Sequence, residues 1–312
     1  MSRRHLASLA LVTAVTLTAA GCGADSDPLA GGSGDDAATG ADAGAVAVGS
    51  ANFPESELLA EIYAQALEDE GVEVSRSFNI GARELYLQAL EDGSIDLLPE
   101  YNGALLSALT EGGVPEGISD SEEVYAALPD ALPEGTIVLE QSEAEDKDTV
   151  TVRRETAEEY GLETIGDLAP VAGELVAGAG PEWQERYQGL PGLEEVYGLE
   201  FGEFRPLDAG GPLTVGALAD GTIDAANLFS TDSAITQNDF VVLEDPENLF
   251  LAENIVPLIR ESAATPTVVD ALNEVSAALT TENLTEYLAK VQVDRQDTAT
   301  VATEFLAEYD LA

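Results

Sequence analysis

Histidine is almost missing from this chain: the single copy, His5, sits in the opening segment, so the body of the protein has none. Cysteine is as scarce, with Cys22 alone. Ser-His-Asp triads, histidine metal sites, zinc clusters and cysteine nucleophiles therefore have no members to draw on. A lone cysteine also excludes an intramolecular disulfide. No Gly-x-Ser-x-Gly elbow, phosphate-binding loop or Gly-x-Gly-x-x-Gly occurs. Basic residues are few, 12 Lys and Arg against 60 Asp and Glu, for a formal net charge of −48. Such a chain cannot neutralise phosphates, so nucleic acid is excluded as a partner. The acids are scattered over helix faces, as in Glu55-Ser56-Glu57 and Glu68-Asp69-Glu70. They form a solvated, self-repelling surface suited to high salt. No Asp-x-Asp-x-Asp-Gly calcium loop is present. A carboxylate-pair glycosidase would need two acids to be singled out, and none stand apart. Neither catalysis nor a cofactor is expected.

Long apolar runs are also missing. The one from Leu6 to Ala19 is short for a membrane span and follows Arg3-Arg4, as in an export signal. It closes on Ala19-Ala20-Gly21-Cys22, a pattern similar to the bacterial lipobox, in which the cysteine is lipidated and becomes the mature N-terminus. An ordinary secretory signal with an incidental cysteine is the other reading, and the paired arginines hint at twin-arginine export. Residues 1–21 are thus expected to be a lipoprotein signal. Residues 22–44, mostly Gly, Ala, Asp and Ser, cannot bury enough surface to fold and read as a tether.

The body is organised around Leu90-Glu-Asp-Gly-Ser-Ile-Asp-Leu-Leu-Pro-Glu-Tyr-Asn-Gly103. A helix ends at an Asp-Gly turn, with Gly93 in the left-handed position, and a buried strand runs from Ile95 to Leu98. Pro99 is expected to end that strand and put Glu100, Tyr101 and Asn102 on a loop at its C-terminal end, where open α/β sheets bind ligands. The phrase returns as Leu218-Ala-Asp-Gly-Thr-Ile-Asp224, running out into Asn227-Leu-Phe-Ser-Thr-Asp232. Two copies predict two similar α/β lobes facing each other. The polar break Glu143–Asp148 marks a crossover, and Ile255 to Ile259 a return. The expected bounds are 45–147 with 250–312 for the first lobe and 148–249 for the second. The strand-to-helix loops at 49–53, 79–83 and 99–103 should gather on one rim.

Gly49-Ser50-x-Asn52-Phe53-x-Glu55, Pro99-Glu100-Tyr101-x-Gly103, Gly189-Leu-Pro-Gly-Leu193, Tyr197-Gly-Leu199 and Phe229-Ser-Thr-Asp232 occur in that order. Together they resemble the osmoprotectant (glycine betaine, choline, carnitine) substrate-binding proteins of ABC transporters, from Val46 to the C-terminus. The resemblance implies a type II periplasmic-binding-protein fold, two α/β lobes with ligand in the cleft. It also implies a permease and an ATPase as partners. The expected location is outside the cytoplasm, held to the membrane by lipid on Cys22. The family's trimethylammonium ligands cannot donate ordinary hydrogen bonds and are held by aromatic faces.

Carried over by position, Tyr101 and Phe229 keep ring positions, with Asn52, Phe53, Thr231 and Asp232 beside them. Arg186 matches an arginine that can clamp a carboxylate, although Tyr187-Gln188 replace the usual Pro-Asp. Asp146-Lys147-Asp148 stand where many members have Asn-x-Tyr, and Leu251-Ala252-Glu253 where Pro-Pro-Tyr is common. Ala51 replaces a basic residue, for which Lys147 or Arg83 would substitute, and Ser56 replaces another polar position. These departures predict a wetter pocket in which Asp146 or Asp148 pairs with a cation. Each candidate has a plainer reading: Tyr101 as a rim tyrosine, Arg186 as a surface ion pair, Asp146 and Asp148 as hinge solvation. Trp183 reads as interlobe packing and Phe53 as a helix-entry staple. A receptor for an uncharged solute and an envelope sensor are the other functional readings.

Overall fold

The structure, a computed structural model, describes residues 45–110, 113 and 117–311. The expected signal, tether and lipidated Cys22 lie outside the described residues.

Val46 and Val48 alternate inward along β1 (Ala45–Gly49). Pro54 at the first helical position and Glu55 and Glu57 in the first turn open α1 (Pro54–Asp69), as the helix dipole favours. Its Leu58, Leu59, Ile62, Tyr63 and Leu67 are buried at helical spacing. Then come β2 (Glu73–Ser77), α2 (Arg83–Asp92), β3 (Leu97–Tyr101), α3 (Asn102–Leu109), α4 (Ser121–Ala131) and β4 (Thr136–Val138). The next stretch is β5 (Asp148–Val152), α5 (Arg154–Tyr160), β6 (Val176–Ala179), α6 (Leu190–Tyr197), β7 (Glu203–Pro206), α7 (Pro212–Ala219), β8 (Ala225–Phe229), α8 (Ser233–Gln237) and β9 (Val241–Val242). The chain finishes with β10 (Ile255–Arg260), α9 (Pro266–Ala278), α10 (Thr281–Gln292) and α11 (Thr298–Glu308).

The strands form two mixed five-stranded sheets, ordered β2-β1-β3-β10-β4 and β7-β6-β8-β5-β9. The orders correspond strand for strand, and the likeness reaches single atoms. Asp96 Oδ2 accepts the Ala47 N–H at 3.0 Å, and Asp224 Oδ2 accepts the Val176 N–H at 2.9 Å. Arg260 reaches Asp96 from the end of β10, as Arg153 reaches Asp224 from the end of β5, both at 3.2 Å. A Cβ on Gly49 would meet Ile95 at 2.7 Å, and one on Gly178 would meet Ile223 at 2.6 Å. The two Asp-Gly phrases are therefore one supersecondary unit used twice. Gly93 and Gly221 take the left-handed turn in each copy, at φ 79° and 77°.

Pro99 does not end its strand. It is paired across the sheet with Pro257, and β3 continues through Glu100 to Tyr101. Opposed residues of antiparallel strands alternate between hydrogen-bonded and non-bonded pairs. The Asn102 N–H donates to the Asn254 carbonyl three positions on, so Pro99 opposite Pro257 falls in a non-bonded pair where neither needs an N–H. Tyr101 is thus a buried strand residue and Asn102 opens a helix, rather than both lying on a loop. Asp148 likewise begins β5 instead of belonging to the polar break.

Two segments connect the sheets, 139–147 leading out and 243–254, which includes a turn at 245–248, leading back. They run side by side: Ile255 donates to the Ala144 carbonyl, Asp146 to the Glu253 carbonyl, and Glu145 bridges Asn254. The three C-terminal helices return to the first sheet, where Leu272, Tyr287 and Phe305 join the core built on α1.

Candidate functional site

The C-terminal ends of the parallel strands in both sheets point at one pocket, the position at which open α/β sheets take ligands. From the first sheet come Asn52 and Phe53 after β1, Arg83 and Tyr86 on the first turns of α2, and Tyr101 at the end of β3. From the second come Trp183, Arg186 and Gln188 after β6, and Asn227 and Phe229 on β8. Asp146 and Glu253 line it from the connections between the sheets, and Asp148 from the start of β5. The cavity has a volume of about 60 Å³, on the scale of a small solute.

The entry loop is tied down locally. Ser56 Oγ accepts the Ala51 N–H at 2.9 Å and Ser50 Oγ accepts the Asn79 N–H at 2.9 Å. Phe53 is thereby held at the start of α1 with its ring stacked on Phe229, centroids 5.1 Å apart, and tilted against Tyr101 at 6.0 Å. The expected staple is instead an aromatic bridge between residues of the two sheets.

Both arginines line the pocket, and each is paired with an acid. Arg83 forks onto Glu100 at 2.8 and 3.1 Å, and Glu100, fully buried, also accepts from Tyr86 Oη and the Tyr101 N–H. Arg186 forks onto Glu84 at 3.0 Å. Lys147 is not among the lining residues; its N–H donates to Ser230 Oγ. Thr231 and Asp232 lie behind the pocket. Thr231 Oγ1 donates to Glu55 at 2.5 Å, while Asp232 accepts the Phe229 N–H at 3.1 Å and Gln292 Nε2 at 2.9 Å. They position Phe229.

Among the described residues, none of the site's remaining acids forms an ion pair. Burial pushes Glu55 up to about 7 against the hydrogen bonds from Thr231 and Tyr101. Asp146, hydrogen-bonded to Glu55 and to the Thr231 N–H, is held well above the usual carboxylate range by burial and by the Glu55 charge. Burial raises Asp232 to about 6. Burial also raises Asp148, whose Oδ1 accepts from Asn227 at 2.6 Å. Glu253 is well raised by burial and then by Asp148, with one bond from Gln188 at 3.1 Å. With its arginines already paired, the lining holds carboxyls that burial drives toward the neutral form and that a bound cation would return to the ionised one.

Residues 44–308 match the family described as the substrate binding domain of ABC-type glycine betaine transport systems. The chain belongs to that family. It is a family of transport substrate-binding domains rather than of enzymes. The glycine-betaine-binding protein of Pseudomonas aeruginosa is 26% identical over 277 residues, 85% of this chain and 88% of that protein. The carnitine transport binding protein OpuCC of Listeria monocytogenes is 28% identical over 158 residues, 50% of this chain and 51% of that one. The chain spans about half the length of the first curated relatives it matches. A crystal structure of a glycine betaine/carnitine/choline ABC transporter protein shares the fold, with TM-score 0.66 at 24% identity over 85% of this chain and 99% of that one. The type II binding-protein architecture expected above is the one found.

Within this substrate-binding domain, the position-by-position reading reached Asn52, Phe53, Arg83, Tyr101, Asp146, Asp148, Arg186 and Phe229, all of which line the pocket. It passed over Tyr86 and Asn227. Both carried a signal: Tyr86 lies one turn from Arg83, and Asn227 shares a strand face with Phe229. Trp183, read as interlobe packing, packs instead within the second sheet's own core, near-parallel to Phe204 at 6.5 Å, and also lines the pocket.

Proposed function

We propose that this protein is the extracytoplasmic binding component of an ABC importer and captures a small cationic osmolyte of the betaine type between two lobes. The observation that carries this is a pair of pocket carboxyls that form no ion pair among the described residues. The pocket's arginines are consumed by Glu100 and Glu84, while Asp148 and Glu253 face inward with aromatic rings beside them. A cation completes that set. The lobes are residues 45–147 with 250–312, and 148–249, and closure over solute is the signal to a permease and ATPase. Lipid on Cys22 would hold the assembly at the membrane surface. Glycine betaine, choline and carnitine, named for the relatives, are the first ligands to try. A non-quaternary solute of similar size is the second reading, favoured by the direct contact of Phe53 with Phe229.

The test is a thermal-shift screen of the protein with glycine betaine, choline, carnitine, ectoine and polyols, followed by titration on Trp183 fluorescence. A ligand at a hundred times its Kd adds about 2.7 kcal/mol, a readable shift. Binding by polyols alone would reject the cation reading.

A further inference from the structure

We infer that the cation taken by this pocket carries N–H donors and is held by Asp148 and Glu253, rather than being a fully methylated ammonium wrapped by rings. The inference rests on the importer reading above and narrows its ligand.

The carboxylates have open valences. Glu253 is 3% exposed and accepts from Gln188 through Oε1 only; among the described residues no donor reaches its Oε2. Asp148 accepts the Asn227 amide through Oδ1, and no described donor reaches its Oδ2. Both line the pocket, and they stand near enough for Asp148 to raise Glu253. A second orphan is of opposite kind. Trp183 is 5% exposed and lines the same pocket, and its Nε1–H finds no acceptor among the described residues. Trp183 Nε1 is a buried polar atom without a partner, which is rare and costly in folded proteins, and the two carboxylate oxygens open unpaired into the same pocket, so these three mark atoms that a ligand meets.

The rings, by contrast, have little face to spare. Phe53 is stacked on Phe229 on one side and tilted on Tyr101 on the other. Gly210 packs so closely on Phe229 that a Cβ there would lie 2.8 Å from the ring. Tyr101 turns its hydroxyl away, onto Glu55 at 2.8 Å. At 5.1 Å between centroids, Phe53 and Phe229 leave no gap for a cation between them.

A trimethylammonium offers methyl groups to carboxylate oxygens and leaves their lone pairs unmet in a site shielded from water. An ammonium with one or more N–H bonds makes charge-assisted hydrogen bonds to the same oxygens. The Trp183 N–H then meets an oxygen elsewhere on the solute. The chemical class is a small primary, secondary or tertiary amine in its protonated form, bearing a carboxylate or hydroxyl.

Two methylation series test this on the full chain by isothermal titration: glycine through N,N-dimethylglycine to glycine betaine, and ethanolamine through N,N-dimethylethanolamine to choline. The dimethyl member is expected to bind about tenfold or more tighter than the trimethyl one. Glu253→Gln and Asp148→Asn should each shrink that ratio, with melting curves establishing that the variants fold. If either fails to fold, the other supplies the ratio. A trimethyl member that binds tightest, or a ratio unmoved in a folded variant, overturns the inference and leaves the importer reading standing. Binding by no member of either series overturns both.

Discussion

Glu55 and Thr231 are 176 residues apart in the chain and joined by a 2.5 Å hydrogen bond. One begins the first helix of the first sheet's side, the other follows the central strand of the second. Asp146, on the connection between the sheets, is hydrogen-bonded to the same carboxyl. Tyr101 completes the cluster, and Asp232 adds a further negative charge nearby. Among the described residues no cation pairs with this cluster, and burial favours a proton held on Glu55 and Asp146.

Stability should therefore fall as pH rises through the range where the unfolded chain has already lost that proton. Glu55 is raised from 4.5 to about 7. Its contribution is complete below the unfolded value and is lost on the way up to the folded one. The slope from this proton is about 1.4 kcal/mol per pH unit between pH 4.5 and 7. Asp146→Asn imitates the protonated acid, donating to Glu55 and accepting from Thr231. Its chemical-denaturation free energy should gain on the wild type steadily between pH 5 and 7; parallel pH curves would reject the shared proton.

Glu100 should be the costliest single acid to alter. Its carboxylate receives both prongs of Arg83, the Tyr86 hydroxyl and the Tyr101 amide in a site with no exposure. Glu100→Ala leaves the guanidinium buried and unpaired, at about 3–5 kcal/mol. Adding Arg83→Met should restore a large part of that loss. A double-mutant cycle in urea measures it, and additive losses would count against the pairing.

Phe53→Leu keeps apolar volume while removing two ring contacts. The expected loss is about 1 kcal/mol of stability, the usual worth of a ring pair beyond its buried area. Phe229→Leu should cost about as much, and the double variant less than the sum, because one contact serves both. Urea melts of the three variants give these values.

Gly103→Ala should destabilise by about 1–3 kcal/mol through overpacking, since its Cβ would fall 2.3 Å from the Ala252 carbonyl oxygen. This glycine lets the start of α3 rest on the returning connection. A variant as stable as wild type would mean that the connection yields.

The repeated Asp-Gly phrase made much of the architecture legible, because a left-handed glycine turn and a short apolar strand are local features. The families of strands and helices, and the pocket that Tyr101 and Phe229 both line, follow from it. Pro99 misled because whether a strand tolerates proline depends on its neighbour's register, and Pro257 lies 158 positions further on. Arg83 read as a substitute for the missing basic residue, and Arg186 as either a carboxylate clamp or a surface ion pair, of which the structure shows the pair. Their partners, Glu100 and Glu84, were two acids among 60, and nothing local distinguishes the acid that an arginine will meet.

The sequence by itself determined the absence of histidine and thiol chemistry in the body of the chain, the doubled α/β unit and the family. These depend on composition and on short-range pattern. Only the tertiary structure decided which charges cancel, which rings face each other and which carboxylate oxygens stay open. Those are relations between residues brought together across two sheets, set by packing distances that no stretch of sequence contains.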